Sequence, residues 1–128
     1  MTPSPRAAAK GIVLFAHGSR DPLWHKPIEA VAAAILAAAP ATPVVCAYLE
    51  LRAPDLAHAT RELLAAGVRE VSIVPLFLGV GKHARDDLPL LVAALRLEHP
   101  HTLFHLHAAV GEDPRLVRLL AEMALDGF

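Results

Sequence analysis

Four times in succession, a short and almost uninterrupted apolar run is followed by a longer segment whose apolar residues recur at helical spacing. The runs are GIVLFAHG (11–18), VVCAYLE (44–50), EVSIVPLFLG (70–79) and TLFHLHAAVG (102–111). The segments after them are WHKPIEAVAAAILAAA (24–39), APDLAHATRELLAAG (53–67), RDDLPLLVAALRLEH (85–99) and DPRLVRLLAEMAL (113–125). Strands covered on both faces lose the in–out alternation of half-exposed ones, and parallel strands need long crossovers that are usually helical. The pattern therefore predicts an α/β fold, a doubly wound, flavodoxin-like parallel sheet of four strands with helices on both faces. Right-handed crossovers make 2-1-3-4 the expected strand order.

At 128 residues the chain reads as one domain over 11–128, preceded by a ragged, flexible terminus at 1–10. That terminus, MTPSPRAAAK, has no apolar stretch of the kind a signal peptide carries. Hydrophobic residues reach 55%, much of it alanine, yet proline or charge breaks every apolar stretch short of the ~20 residues that span a bilayer. No membrane partner and a cytoplasmic location are the expectations. The lone Cys46 excludes an intrachain disulfide and any paired-cysteine motif, and its apolar setting predicts a buried, inert thiol. A net charge of -1 with 5% aromatics supplies neither the basic field nor the stacking surface that nucleic acid requires. Eight histidines remain to be placed.

In a doubly wound sheet, ligands bind beyond the carboxyl ends of the strands, where the winding direction reverses. Here that crevice falls between the first and third strands. The loop after the first is AHGSRDP (16–22), with His17 at its mouth, and the loop after the third is GVGKHARDD (79–87), with His83. Each alone suits a capping or hydrogen-bonding role. Together at the switch point they form a candidate pair. Gly18, Gly79 and Gly81 beside them are read as relieving steric crowding or serving as turn residues. Glu50 ends the second strand near the same rim, either as a surface acid or as a third polar group of the site. Two imidazoles and a carboxylate suit a divalent first-row metal, in an open and exchangeable site rather than a closed structural one. His25 and His58 are expected on helix surfaces, and His99 and His101 in a turn at the opposite end. His105 and His107 are expected on one face of the fourth strand.

LFAHGSRDP, YLELRAPDL, VPLFLGVGKHARDDLP and GEDP, taken in that order, resemble the small sirohydrochlorin-type class II chelatases, the CbiX/SirB branch. The likeness runs from about residue 11 to residue 120 and is carried most specifically by the AHGSR and GxGxHxxxDLP motifs together. The resemblance implies a chelatase-type fold and ATP-independent insertion of a divalent metal into sirohydrochlorin. No cofactor would be permanently bound. The metal is a substrate, Co²⁺ for cobalamin synthesis, with Fe²⁺ (siroheme) and Ni²⁺ as alternatives. By the same resemblance His17 and His83 are the metal-handling pair, and Glu50 is the acid after the second strand. Long members of that family carry two such domains, so the resemblance implies a homodimer for this single-domain chain. Lys82 departs from the pattern, standing where a small residue is common.

Metallation must remove two pyrrole protons while a partly desolvated metal approaches the ring, and a neutral imidazole can ligate or accept a proton. The macrocycle carries many carboxylates. Ser19, Arg20, Arg52, Gly79, Gly81, Lys82 and Arg85 at the same rim are the candidate substrate contacts, with ordinary solvated charge as the alternative. A histidine phosphatase is disfavoured because Ala16 stands where its phosphate-gripping arginine would be. A receiver module would need an acidic cluster at the strand ends, and a flavin site a Ser/Thr-rich loop. A metal- or tetrapyrrole-binding protein without turnover uses the same residues as the enzyme, and only turnover separates the two.

Overall fold

The computed structural model describes residues 9–127. A parallel sheet of four strands has the order β2-β1-β3-β4, with β1 at Lys10–Ala16, β2 at Val44–Tyr48, β3 at Glu70–Pro75 and β4 at Leu103–Leu106. The expected topology is the one found. The helices are α1 (Lys26–Ala38), α2 (Leu56–Ala65), α3 (Lys82–Glu98) and α4 (Pro114–Asp126), and a 3-10 turn at Pro22–His25 leads into α1. Residues 1–8 of the expected flexible terminus lie outside the described residues, whereas Lys10 already belongs to β1.

Each strand ends earlier than its apolar run. After β3 the apolar residues Phe77 and Val80 leave the ladder yet pack on the core, so hydrophobicity continues where strand geometry stops. The third helix departs in the other direction. It begins at Lys82, before the expected start, and runs through Pro89. A proline there removes one amide from the helix ladder. Burial of Ala84, Leu88, Val92 and Leu95 on one stripe holds the helix across that gap.

The two faces of the sheet are covered unequally. On one, Val13, Phe15, Val71, Ile73 and Phe104 meet Leu56, Ala59 and Leu63 of α2 and Leu88, Val92 and Leu95 of α3. On the other, Leu14, Ala16 and Tyr48 meet Ile28 of α1, the one buried residue of that helix. The last helix, α4, buries none of its residues, and Leu119 and Met123 are 50% and 61% exposed. A gap of about 620 Å³ separates Pro27, Ile28 and Val31 of α1 from Leu116 and Leu119 of α4. Asp113 caps α4, accepting from the Arg115 amide and pairing with its guanidinium, which lowers the Asp113 pKa to about 2.

Gly111 joins β4 to the loop after β3. Its amide donates to the Phe77 carbonyl at 2.9 Å, and a Cβ there would land on the Leu78 carbonyl oxygen. Gly111→Ala is therefore expected to displace the 76–81 loop and cost about 1–3 kcal/mol, the usual penalty of forcing extra volume into a packed contact. Urea denaturation of the variant checks this, and an unchanged midpoint would contradict it.

Candidate active site

β1 ends between its two neighbours, and the ladder bonds on either side continue one step past it. The Leu49 amide donates to the Ala16 carbonyl at 2.9 Å, and the Leu76 amide to the Phe15 carbonyl at 2.7 Å. His17 is the next residue, so segments from β2 and β3 flank it. Its Nδ1 lies 2.9 Å from Glu50 Oε1, and its ring packs against Phe77 with centroids 4.8 Å apart. Both side chains stay about half-exposed, at 48% for His17 and 42% for Glu50.

An ionised carboxylate can only accept a hydrogen bond. In the neutral imidazole Nδ1 therefore carries the proton, which leaves the Nε2 lone pair free. This is how a carboxylate beside a histidine sets the tautomer and orients the ring for ligation.

Close backbone approach makes the pair possible. A Cβ on Gly18 would land on the Glu50 carbonyl oxygen, so the crowding expected at the glycines is real at Gly18. Gly79 and Gly81 have open space around them. The chain then turns sharply at Leu51, whose φ of 64° lies in the left-handed region that non-glycine residues seldom occupy. Beyond it Arg52 reaches Glu29 at 3.6 Å and lies over the Tyr48 ring at 5.7 Å. Burial raises the Tyr48 pKa, and it raises that of Cys46 too, although the thiol is only partly buried rather than fully buried as expected.

His83 is exposed on the first turn of α3, at the same end of the sheet, with Gly81 as the helix N-cap. It forms no hydrogen bond or ion pair with His17 or Glu50, and no three His, Cys, Asp or Glu side chains cluster around a single metal position among the described residues. The structure thus joins His17 to Glu50 and leaves His83 as a separate group on the neighbouring element. Ser19 accepts from the Asp21 amide at 3.0 Å. Lys82 pairs with Asp86 at 3.8 Å. Arg20 and Arg85 are exposed and make no ion pair among the described residues, and Arg85 borders a cavity of about 150 Å³ with His107 and Glu112.

One expectation fails clearly. His25 is buried, 1% exposed, rather than on a helix surface. The 3-10 turn before α1 folds it back under the loop, so helical periodicity counted from residue 24 misplaces it. The signal that could have found it is Asp21-Pro22, a turn starter ahead of the helix. His58 is exposed as expected and bonds Asp55 at 2.8 Å. His105 is exposed and approaches Glu70 at 3.8 Å.

The family model described as CbiX matches residues 11–126. The chain belongs to the CbiX family. Among curated relatives, this CbiX chain is 33% identical over 79 residues to the sirohydrochlorin cobaltochelatase of Methanothermobacter thermautotrophicus, covering 62% of the chain and 54% of that protein. It is 35% identical over 82 residues to the sirohydrochlorin cobaltochelatase of Saccharolobus solfataricus, covering 64% of the chain and 62% of that protein. The matches thus span little more than half the length of these relatives. Among solved structures, a CbiX protein from Marinobacter aquaeolei VT8 described as a putative cobalamin biosynthesis protein superposes with a TM-score of 0.79 at 30% identity. That superposition covers 92% of this chain and 93% of the other. The Bacillus subtilis sirohydrochlorin chelatase SirB in complex with cobalt shares the fold, at a TM-score of 0.76 and 23% identity, over 91% of this chain and 50% of its own.

Removing the carboxylate should release the His17 tautomer. In long-range ¹H–¹⁵N spectra the His17 ring is expected as the Nδ1–H form in the wild type and as mainly the Nε2–H form in Glu50→Ala. The same spectrum for both proteins would show that the contact does not hold the ring.

Proposed function

We propose that this CbiX chain is a sirohydrochlorin cobaltochelatase, inserting Co²⁺ into the macrocycle without ATP or a bound cofactor. The observation that carries the reading is the His17–Glu50 pair at 2.9 Å, a histidine oriented by a carboxylate and left half-exposed at the carboxyl end of the sheet. The cobaltochelatase relatives support the choice of metal.

In the proposed reaction the free Nε2 of His17 meets the incoming metal or takes a pyrrole proton, and Glu50 balances the charge that then develops on the imidazole. His83, on the next element of the rim, is the second metal-handling group. An open set of this kind suits transfer, since a closed cage of four firm ligands would retain the ion.

Electrostatics at the mouth of α3 support a polycarboxylate substrate. Lys82 and Arg85 occupy its first turn beside His83, and no acid does. Cations there oppose the helix dipole, and an anion set among them and the free amides would relieve that conflict. Arg85 and Arg20, both without an ion-pair partner among the described residues, are the stronger candidates for the substrate's carboxylates. Arg52 and Lys82 would first have to leave Glu29 and Asp86. The apolar floor is present too: Ala16, His17, Trp24, Pro27, Ile28 and Leu76 line a cavity of about 260 Å³.

The working unit we propose is a homodimer. Its support is α4, whose exposed Leu119, Leu120 and Met123 find no cover among the described residues. An exposed apolar stripe of this kind suits a self-complementary contact with a second copy of the chain.

An anaerobic absorbance assay with sirohydrochlorin and Co²⁺, Fe²⁺ or Ni²⁺, each against a protein-free blank, tests the activity. Turnover is expected with Co²⁺ and should fall by about a hundredfold or more in His17→Ala and in His83→Ala, as losing a catalytic acid–base group does. Full activity in both variants would contradict the reading. For the assembly, light scattering is expected to find a dimer in the wild type and a monomer in the double variant Leu119→Glu, Met123→Glu. An unchanged mass would exclude α4 from the interface.

A further inference from the structure

We infer that His25 is a positioning residue for His17, acting through the backbone of the loop between β1 and α1. Resting on the chelatase reading, this assigns a role to a buried histidine that touches neither metal nor macrocycle.

The loop is clamped at three places. Trp24 Nε1 donates to the His17 carbonyl at 2.9 Å, Gly18 lies against the Glu50 carbonyl, and the Ser19 amide donates to His25 Nε2 at 3.3 Å. The last is held from within the fold, because His25 is 1% exposed and stands edge-on to Tyr48 with ring centroids 4.7 Å apart. Ser19 also accepts from the Asp21 amide, and Asp21 accepts from the Leu23 amide, so the clamp reaches along the whole loop.

Packing alone does not call for a histidine here. Its other nitrogen, Nδ1, is buried with no hydrogen-bond partner among the described residues, a cost that an apolar ring of similar size would avoid. What the imidazole adds is a single acceptor, Nε2, aimed at the Ser19 amide two residues from His17. Since Nε2 accepts, the neutral ring carries its proton on Nδ1, which is the unpartnered atom. The arrangement sacrifices one polar atom to hold one backbone amide. Without it the loop can lift while β1 and α1 stay folded, and His17 loses its fixed distance to Glu50.

The test compares His25→Phe, which keeps the ring and removes the acceptor, with His25→Gln, whose side-chain oxygen can reach the Nε2 position. In His25→Phe, the His17 ring is expected to average between tautomers in long-range ¹H–¹⁵N spectra. The KM for Co²⁺ should rise about tenfold, as for one lost hydrogen bond on a positioned group, with the KM for sirohydrochlorin unchanged. His25→Gln should restore both. A His17 spectrum unchanged in folded His25→Phe would overturn the proposal, as would a folded His25→Gln that restores nothing. Should the phenylalanine variant not fold, His25→Asn replaces it, since its oxygen falls at the Nδ1 position and should leave Ser19 unheld. If the wild type does not metallate sirohydrochlorin, the chelatase reading fails. The His17 spectra still decide the role of His25.

Discussion

The carbonyls of Phe15 and Ala16, the last two residues of β1, point to opposite neighbours, one taking an amide from Leu76 and the other from Leu49. Those two hydrogen bonds carry the parallel ladder just past the strands. Everything at the rim depends on them. They fix the start of the loop after β2 and the start of the loop after β3 relative to His17, bringing Glu50 to its Nδ1 and Phe77 against its ring. An oriented histidine then results from sheet geometry rather than from a flexible loop finding its own position. Preorganisation of this kind removes the need to order groups when the ligand arrives.

A second constraint is the uneven coverage of the sheet. The face under α2 and α3 is a closed core, whereas the face under α1 holds few buried residues and α4 stands off it. Stability therefore resides mainly on the first face. The second face, with the β1–α1 loop at its upper edge, is where an added surface can matter. The same division explains why the rim tolerates Leu51 in the left-handed region and His25 with an orphan nitrogen. Local costs of this sort persist where the surrounding structure over-determines them, and they gather at functional sites.

The strand order and the two rim loops were legible in the sequence because continuous apolar runs report strands buried on both faces, and handedness then leaves few topologies. The place of Glu50 near His17 was legible only as proximity. Its direction depends on the turn at Leu51, which a leucine does not announce. Gly111 gave no sign of its contact with the 76–81 loop, since close approach between segments distant in sequence has no local pattern. The start of α3 was obscured by Pro89, whose helix-breaking tendency is overridden by the buried stripe from Ala84 to Leu95. His25 was misplaced because the 3-10 turn before α1 changes the angular period just where that residue lies.

In the proposed reaction His17 and His83 act on one metal although they come from different strand ends and make no direct contact. Paramagnetic Co²⁺ titrated into protein labelled with ¹⁵N at histidine reads this directly. The His17 and His83 ring signals are expected to broaden together at the lowest cobalt concentrations, ahead of His58, His99, His101 and His105. Broadening of His83 without His17, or earlier broadening of the histidines at the opposite end of the sheet, would contradict it.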